Sequence, residues 1–144
     1  MDARRVSATR VVGAPPEQVF EVLADPAAHP LIDGSGTVKE TRARGGTRLA
    51  LGSRFGMAMK VGVPYRIVNE VVEFEEGRLI AWRHFGGHRW RFELEPVDGG
   101  TAVTETFDWS TSRSPIDLEV MRVPARNKRS MEATLERLAA HLAG

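Results

Sequence analysis

Hydrophobic and polar residues alternate most regularly in the segment between residues 78 and 109. Because such alternation is typical of a strand with one buried face, the segment predicts consecutive antiparallel strands at 79–85, 88–96 and 101–109. Glycine-rich turns separate the three strands. In the middle strand, Trp90, Phe92 and Leu94 alternate with arginine and glutamate. The pattern therefore predicts a sheet with one apolar face and one charged face that is exposed to water.

The elements on either side of this segment follow from the same criteria. They predict an opening strand at 4–13 and short helices at 16–24 and 25–29. Three further strands are predicted at 37–43, 54–61 and 65–75, and one long helix at 124–142. The alternation of hydrophobic and polar residues shifts by one position at 71–72, which predicts a β-bulge. Residues 116–123 are interpreted as a connection that admits one or two helical turns. This order predicts an α+β fold in which a curved antiparallel sheet wraps around the terminal helix.

The C-terminal helix is the long helical pattern that could cover the apolar face of the sheet. Met131, Leu135, Leu138 and Leu142 recur in it at spacings of four, three and four residues, which is typical of a helix with one buried side. The helix either seals the apolar face or leaves a cavity beneath it, and the function of the protein depends on which of these is true.

Composition narrows the functional classes. The 144 residues suit a single domain, taken as 1–144, with 42% hydrophobic and 27% charged residues. Twenty lysines and arginines nearly balance nineteen aspartates and glutamates, which argues against a nucleic-acid-binding surface. The absence of cysteine excludes disulfides and thiolate chemistry. The sequence contains no signal peptide or long apolar stretch, so a cytoplasmic protein without stable membrane insertion is expected.

Two stretches resemble a known family: the opening strand that runs into APPEQVFEVLADP, and the strand GGTAVTETFDW. They are similar to the START-like, Bet v 1-like (SRPBCC) superfamily, in its bacterial polyketide cyclase/dehydrase branch, and the resemblance covers nearly the whole chain. It implies a helix-grip fold, in which a seven-stranded sheet and two small helices enclose a cavity beneath the long C-terminal helix. It also implies a hydrophobic ligand such as a lipid, sterol or polyketide. The resemblance carries over no catalytic motif.

Alternation along the strands, together with the apolar stripe of the last helix, places one set of side chains toward the expected cavity. Methionine, tryptophan and tyrosine in this set are adaptable or have polar tips, which suits a ligand cavity. The predicted ligand-binding residues are Met57, Met59, Tyr65, Ile67, Asn69, Trp82, His84, Trp90, Phe92, Glu105, Phe107 and Met131. The alternative interpretation is that the apolar members simply pack beneath the helix.

Three predicted inward residues, Asn69, His84 and Glu105, are polar. Burial of an unpartnered polar group costs about 1–3 kcal/mol, so these side chains are expected to have partners. They bond to one another, to other polar tips or to water in the first interpretation. In the second they orient a ligand, and in the third they transfer protons. In the last case Glu105 or His84 removes a proton next to a carbonyl, while Tyr65 or Asn69 holds the oxyanion. The favoured function is binding of a hydrophobic small molecule. The alternatives are a polyketide-type cyclase or dehydratase, and an interaction module with a vestigial cavity.

Neither a cofactor nor a metal site is expected. His84 and His88 flank a turn, but no third ligand stands at a recognisable spacing. His29 and His141 are interpreted as surface or helix-end residues. The expected partner is a hydrophobic small molecule, and a homodimer is left open.

Overall fold

The computed structural model describes residues 4–33, 38–43, 48–61, 63–84, 86–120 and 122–143. The side chains of 38–43, 57–61, 63–67, 117 and 120 lie outside this description. Along the described residues the elements are β1 (Arg5–Val12), α1 (Pro16–Leu23), a 3₁₀ turn (Pro26–Ala28), α2 (His29–Ile32), β2 (Val38–Ala43), β3 (Arg54–Val61), β4 (Val63–Glu75), β5 (Leu79–Arg83), β6 (Arg89–Val97), β7 (Gly100–Asp108), α3 (Pro115–Val120) and α4 (Val123–Ala143).

The strands form an antiparallel sheet in the order β1-β7-β6-β5-β4-β3-β2. The turn between β6 and β7 passes very close to β1. Gly100 has a φ of 148°, and a Cβ there would lie 2.0 Å from the carbonyl oxygen of Val12, so glycine is required. This close approach allows β1 to pair with β7, although the two strands lie near opposite ends of the sequence. The predicted α+β arrangement, an antiparallel sheet with a C-terminal helix, is confirmed.

The predicted β-bulge is present in β4. The register between β4 and β5 shifts between Val71 and Glu73, so Val72 is the extra residue. Val71 is buried in the core, and beyond the bulge Phe74 takes over the inward direction and packs against the same core. The slip in hydrophobic phase therefore has a local structural cause. It allows one long strand to keep its apolar side chains on one face.

Helix α4 packs against the apolar face of the sheet at β1 and β7. Its buried side includes Met131, Leu135 and Leu138, as the helical spacing predicts. On its N-terminal half, Lys128 Nζ donates a hydrogen bond of 3.1 Å to the carbonyl oxygen of Ser7 in β1. Because β1 is an end strand of the sheet, this bond gives a partner to one of its backbone acceptors.

The outer face of the sheet is less exposed than predicted. It was expected to face water, but Arg91 is only 9% exposed and Asp108 only 1% exposed, so the prediction is wrong there. The Arg91 guanidinium donates to both carboxylate oxygens of Glu73, at 2.8 and 2.9 Å, and to Asp108 at 3.4 Å. Asp108 also accepts bonds from Arg5 and from Ser110. Glu73 of β4 and Arg91 of β6 reach each other across the small side chain of Ala81 on β5. Long charged side chains cover one another in this way because their apolar stems also bury surface.

Replacement of Asp108 with asparagine is expected to lower the free energy of unfolding by about 1–3 kcal/mol at neutral pH, since Arg91 loses a charged partner. Burial acts to raise the pKa of Asp108, but the bonds from Ser110 and the charges of Arg5 and Arg91 outweigh it and hold the pKa below its usual 3.8. This stabilisation is present above the unfolded pKa and is lost as the pH falls through the lower folded pKa.

Urea denaturation of the wild type and Asp108→Asn, at neutral pH and in acid, measures this difference. Glu95→Gln is the matched control, because Glu95 is an exposed carboxylate on the same face of β6. A difference between wild type and Asp108→Asn that does not shrink in acid would contradict the assigned role of the charge.

Candidate functional site

Trp82, on β5, is the centre of a buried aromatic group on the apolar face of the sheet. The His29 ring stacks on it with a centroid distance of 5.0 Å. Phe55, on β3, meets it edge-on at 5.5 Å, and Phe92, on β6, contacts it at 5.7 Å. We refer to His29, Phe55, Trp82 and Phe92 as the Trp82 cluster. It joins three strands to the start of α2.

His29 is held in the Trp82 cluster by the short helices that follow β1. Asp25 caps the 3₁₀ turn by accepting a hydrogen bond of 3.0 Å from the amide of Ala27, and α2 then begins at His29. The ring nitrogen Nε2 lies 2.9 Å from the carbonyl oxygen of Leu23, and since a carbonyl only accepts, Nε2 carries the proton. The other nitrogen, Nδ1, is buried and has no hydrogen-bond partner in the described part of the chain.

Asn69 and Glu105 are two further polar residues beside the Trp82 cluster. Asn69 is 1% exposed and lies directly opposite Phe55 in the sheet register, whereas Glu105 is 4% exposed and lies opposite Phe92. Among the described residues, neither the side-chain oxygen nor the side-chain nitrogen of Asn69 has a hydrogen-bond partner, and Oε1 of Glu105 has none. Buried polar atoms are normally paired, so Asn69 and Glu105 depart from the usual state of buried polar groups.

The protonation state of Glu105 determines the hydrogen bonds it can make. Burial, together with the negative charge of Asp33, raises the pKa of Glu105 well above 4.5. The neutral carboxyl group is therefore favoured, and it can donate a hydrogen bond as well as accept one. Removal of a proton from a ligand requires the carboxylate instead, which this environment disfavours.

The apolar face is accessible to solvent at one end of the sheet. Trp90 lies directly opposite Trp82 on one neighbouring strand and opposite Phe107 on the other. Trp82 and Phe107 are buried, whereas Trp90 is half-buried. His84 and His88 are also half-buried, and their rings stack at a centroid distance of 5.0 Å. We refer to His84, His88 and Trp90 as the His84 rim. Solvent reaches the apolar side of the sheet at this rim.

Both histidines of the His84 rim are neutral at physiological pH. Burial lowers the pKa of His84. Burial, together with the repulsion that a protonated His84 ring would exert, lowers the pKa of His88 to about 4. The rim therefore presents uncharged aromatic rings, which do not attract an anion by charge.

The turn at the His84 rim is fixed to the segment that follows β7. Gly87 has a φ of 98°, and a Cβ there would lie 2.4 Å from the carbonyl oxygen of Thr111. The Thr111 hydroxyl donates to the Gly87 carbonyl, and the Arg113 amide donates to the Gly86 carbonyl at 2.9 Å. Backbone contacts therefore connect the two segments.

The structure describes eight of the twelve predicted ligand-binding side chains. Six are buried, namely Asn69, Trp82, Phe92, Glu105, Phe107 and Met131. His84 and Trp90 are half-buried at the rim. The side chains of Met57, Met59, Tyr65 and Ile67 lie outside the described residues, although the backbone register pairs Met57 with Ile67 and Met59 with Tyr65.

His29 lies at a helix end, as one of the two interpretations predicts, because α2 begins there. The other interpretation, a surface residue, is wrong, because His29 is 5% exposed and stacks on Trp82. Trp109 adds a further buried donor: it stacks on Phe107, and its Nε1 has no hydrogen-bond partner among the described atoms. The sequence feature nearest to His29 is the capping pair Asp25-Pro26, which predicts a turn that changes the direction of the chain. It does not indicate which way the next side chain points.

Two kinds of site find no support in the described part of the chain. No group of three or more histidine, aspartate or glutamate side chains there is placed to hold a metal ion. None of the helices described is long and apolar enough to cross a membrane.

Comparison with known proteins decides the family. Residues 3–143 match the family model described as polyketide cyclase / dehydrase and lipid transport. The chain belongs to this family. The predicted resemblance to the SRPBCC superfamily and its polyketide cyclase/dehydrase branch is thereby confirmed. Membership suggests ligand binding.

The chain is also similar to a curated relative and to solved structures. The uncharacterized protein Rv0088 of Mycobacterium tuberculosis is 38% identical over 141 residues, which cover 94% of this chain and 62% of that protein. The chain therefore spans less than two thirds of the length of this curated relative. The crystal structure of MLL2253 from Mesorhizobium loti has a TM-score of 0.74 at 18% identity, covering 97% of both chains. The solution structure of an AHSA1-like protein from Aeromonas hydrophila has a TM-score of 0.68 at 17% identity, covering 95% of this chain and 93% of that one. These structures share the fold.

Proposed function

We propose that this protein binds an uncharged, largely hydrophobic small molecule between the apolar face of the sheet and α4. The observation that carries the proposal is the group of buried polar atoms without partners around Trp82, contributed by His29, Asn69 and Glu105. A core built only for stability would replace such groups with hydrocarbon, because each costs about 1–3 kcal/mol when left unpaired. A ligand with matching polar groups removes that cost.

The aromatic residues supply the apolar part of the proposed site. Trp82, Trp90, Phe92 and Phe107 present adjacent rings on neighbouring strands. Met131 of α4 belongs to the same buried core. We extend the site to Met57, Met59, Tyr65 and Ile67 on the strength of the sequence pattern. The ligand enters at the His84 rim in this proposal, since solvent already reaches the apolar face there.

The charge state of the site favours a neutral ligand. A protonated Glu105 donates to a carbonyl or hydroxyl oxygen, and the nearby negative charge of Asp33 opposes a ligand carboxylate. Ketones, esters and alcohols therefore suit this site better than fatty-acid anions.

Native mass spectrometry and thermal-shift measurements with matched long-chain ketones, alcohols and fatty acids test this proposal. Neutral members of the panel are expected to bind and to raise the melting temperature. Asn69→Leu, which removes an unpartnered amide, is expected to weaken their binding, while Glu95→Gln on the outer face leaves it unchanged. If no neutral amphiphile binds, or if only the fatty-acid anions do, the proposal is wrong.

A dehydratase is the second candidate, and the protonated carboxyl group of buried Glu105 favours it. In that reaction Glu105 would donate its proton to the departing hydroxyl group, which leaves as water, while the neutral His84 ring would accept the proton from the adjacent carbon. Incubation of the protein with a β-hydroxy-ketone distinguishes catalysis from binding. Mass spectrometry detects the product that has lost one water molecule. Glu105→Gln would abolish turnover in an enzyme while leaving ligand binding measurable.

A further inference from the structure

His29 differs from the other buried polar groups near Trp82 because it can make only one kind of new hydrogen bond. Its Nε2 proton is already used on the carbonyl oxygen of Leu23 at 2.9 Å, so Nδ1 carries a lone pair and no proton. The ring is held between Trp82, on which it stacks, and Phe55, which it meets edge-on at 5.5 Å. It is 5% exposed, and Nδ1 has no partner in the described chain.

We propose that His29 is a specificity-determining residue that selects ligands carrying a hydroxyl group, which donates its hydrogen bond to Nδ1. The inference rests on the proposed function and narrows the ligand class from neutral amphiphiles to hydroxylated ones. Asn69 offers a donor and an acceptor, and Glu105 offers a proton, so both tolerate ketones, esters and alcohols. His29 offers only an acceptor. A ligand without a donor therefore leaves this nitrogen unpaired.

The environment of the ring keeps this preference in place. Burial lowers the pKa of His29, so that Nδ1 stays unprotonated at neutral pH. Exchange of the two ring nitrogens would break the bond to Leu23 and disturb the stacking on Trp82. A site that is built to pair with a hydroxyl discriminates strongly against analogues that lack it, because the buried group is then left without a partner.

The test compares a secondary decanol with its methyl ether and with the corresponding decanone. The alcohol is expected to bind the wild type about tenfold more tightly than the ether, which has almost the same apolar surface but no donor. In ¹⁵N NMR of histidine-labelled protein, the Nδ1 resonance of His29 is expected to shift on addition of the alcohol and not of the ether. Nε2 should keep its proton throughout.

His29→Phe provides the matched variant, since phenylalanine preserves an aromatic ring against Trp82 but has no acceptor. It is expected to bind alcohol and ether equally, with the affinity for the ether unchanged. If this variant fails to fold, the NMR measurement on the wild type decides the question. Equal binding of alcohol and ether by the wild type, or an Nδ1 resonance that does not move, overturns the inference and leaves the proposed function standing. If none of the three probes binds, the inference fails, and the wider panel of neutral amphiphiles decides the proposed function separately.

Discussion

Replacement of Trp82 with alanine is expected to lower the free energy of unfolding by about 3–5 kcal/mol and to abolish ligand binding. Trp82 is 7% exposed and packs against His29, Phe55 and Phe92, so its removal leaves a cavity bordered by three rings that each lose a packing contact. The stacked support of the His29 ring disappears as well. Chemical denaturation followed by circular dichroism measures the change in stability, and thermal shift with a neutral amphiphile measures binding.

Trp90→Ala is the matched control, because Trp90 lies directly opposite Trp82 on the next strand but is only half-buried. It is expected to cost roughly half as much stability, since less of its surface is removed from water on folding. A loss for Trp90→Ala as large as that for Trp82→Ala would contradict the description of the rim as the accessible end of the site.

Replacement of Glu105 with leucine is expected to change stability and binding in opposite directions. Leucine fills a similar volume without a polar group, so the free energy of unfolding should rise by about 1–3 kcal/mol at neutral pH. Affinity for a ketone ligand should fall about ten- to a hundredfold, because the ligand oxygen loses its donor and stays buried. Urea titrations and isothermal titration calorimetry measure the two effects. A variant that is less stable than the wild type would contradict the description of Glu105 as an unsatisfied buried group.

The same substitution is expected to remove a pH dependence. The folded pKa of Glu105 is raised above its unfolded value, so the folded protein holds this proton where the unfolded chain releases it. Wild-type stability should therefore be highest, with respect to this group, below about pH 4.5 and should fall as the pH rises toward the folded pKa. The difference in stability between Glu105→Leu and the wild type should widen over that interval. A difference that is constant with pH would show that Glu105 is ionised in the folded protein.

The inward positions of the central strands could be predicted because their signal is local. Alternation with a period of two, bounded by glycine turns, is sufficient to place Trp82, Phe92 and Phe107 on the buried side. The bulge in β4 was also predictable, since a slip in hydrophobic phase has few other causes. Glu105 was placed inside by its register alone, although its chemistry suggests the surface.

His29 and Asp108 show where such prediction fails. The inward orientation of His29 depends on how α1 and the 3₁₀ turn dock against the sheet, which no periodicity over so few residues reveals. Alternation correctly put Asp108 on the outer side but could not indicate that Arg91 and Arg5 would cover it. A pattern specifies the side of a strand, whereas burial also depends on the lengths of neighbouring side chains.

The hydrogen bond from the Lys128 ammonium group to the Ser7 carbonyl oxygen affects how readily the sheet can pair with a second molecule. An end strand with free carbonyl and amide groups is a template on which a second molecule can extend the sheet. Here a positive charge on α4 already occupies one of those acceptors, and an incoming strand would have to displace it and leave the ammonium without its partner. Extension of the sheet by a second molecule at β1 would therefore cost the protein this hydrogen bond.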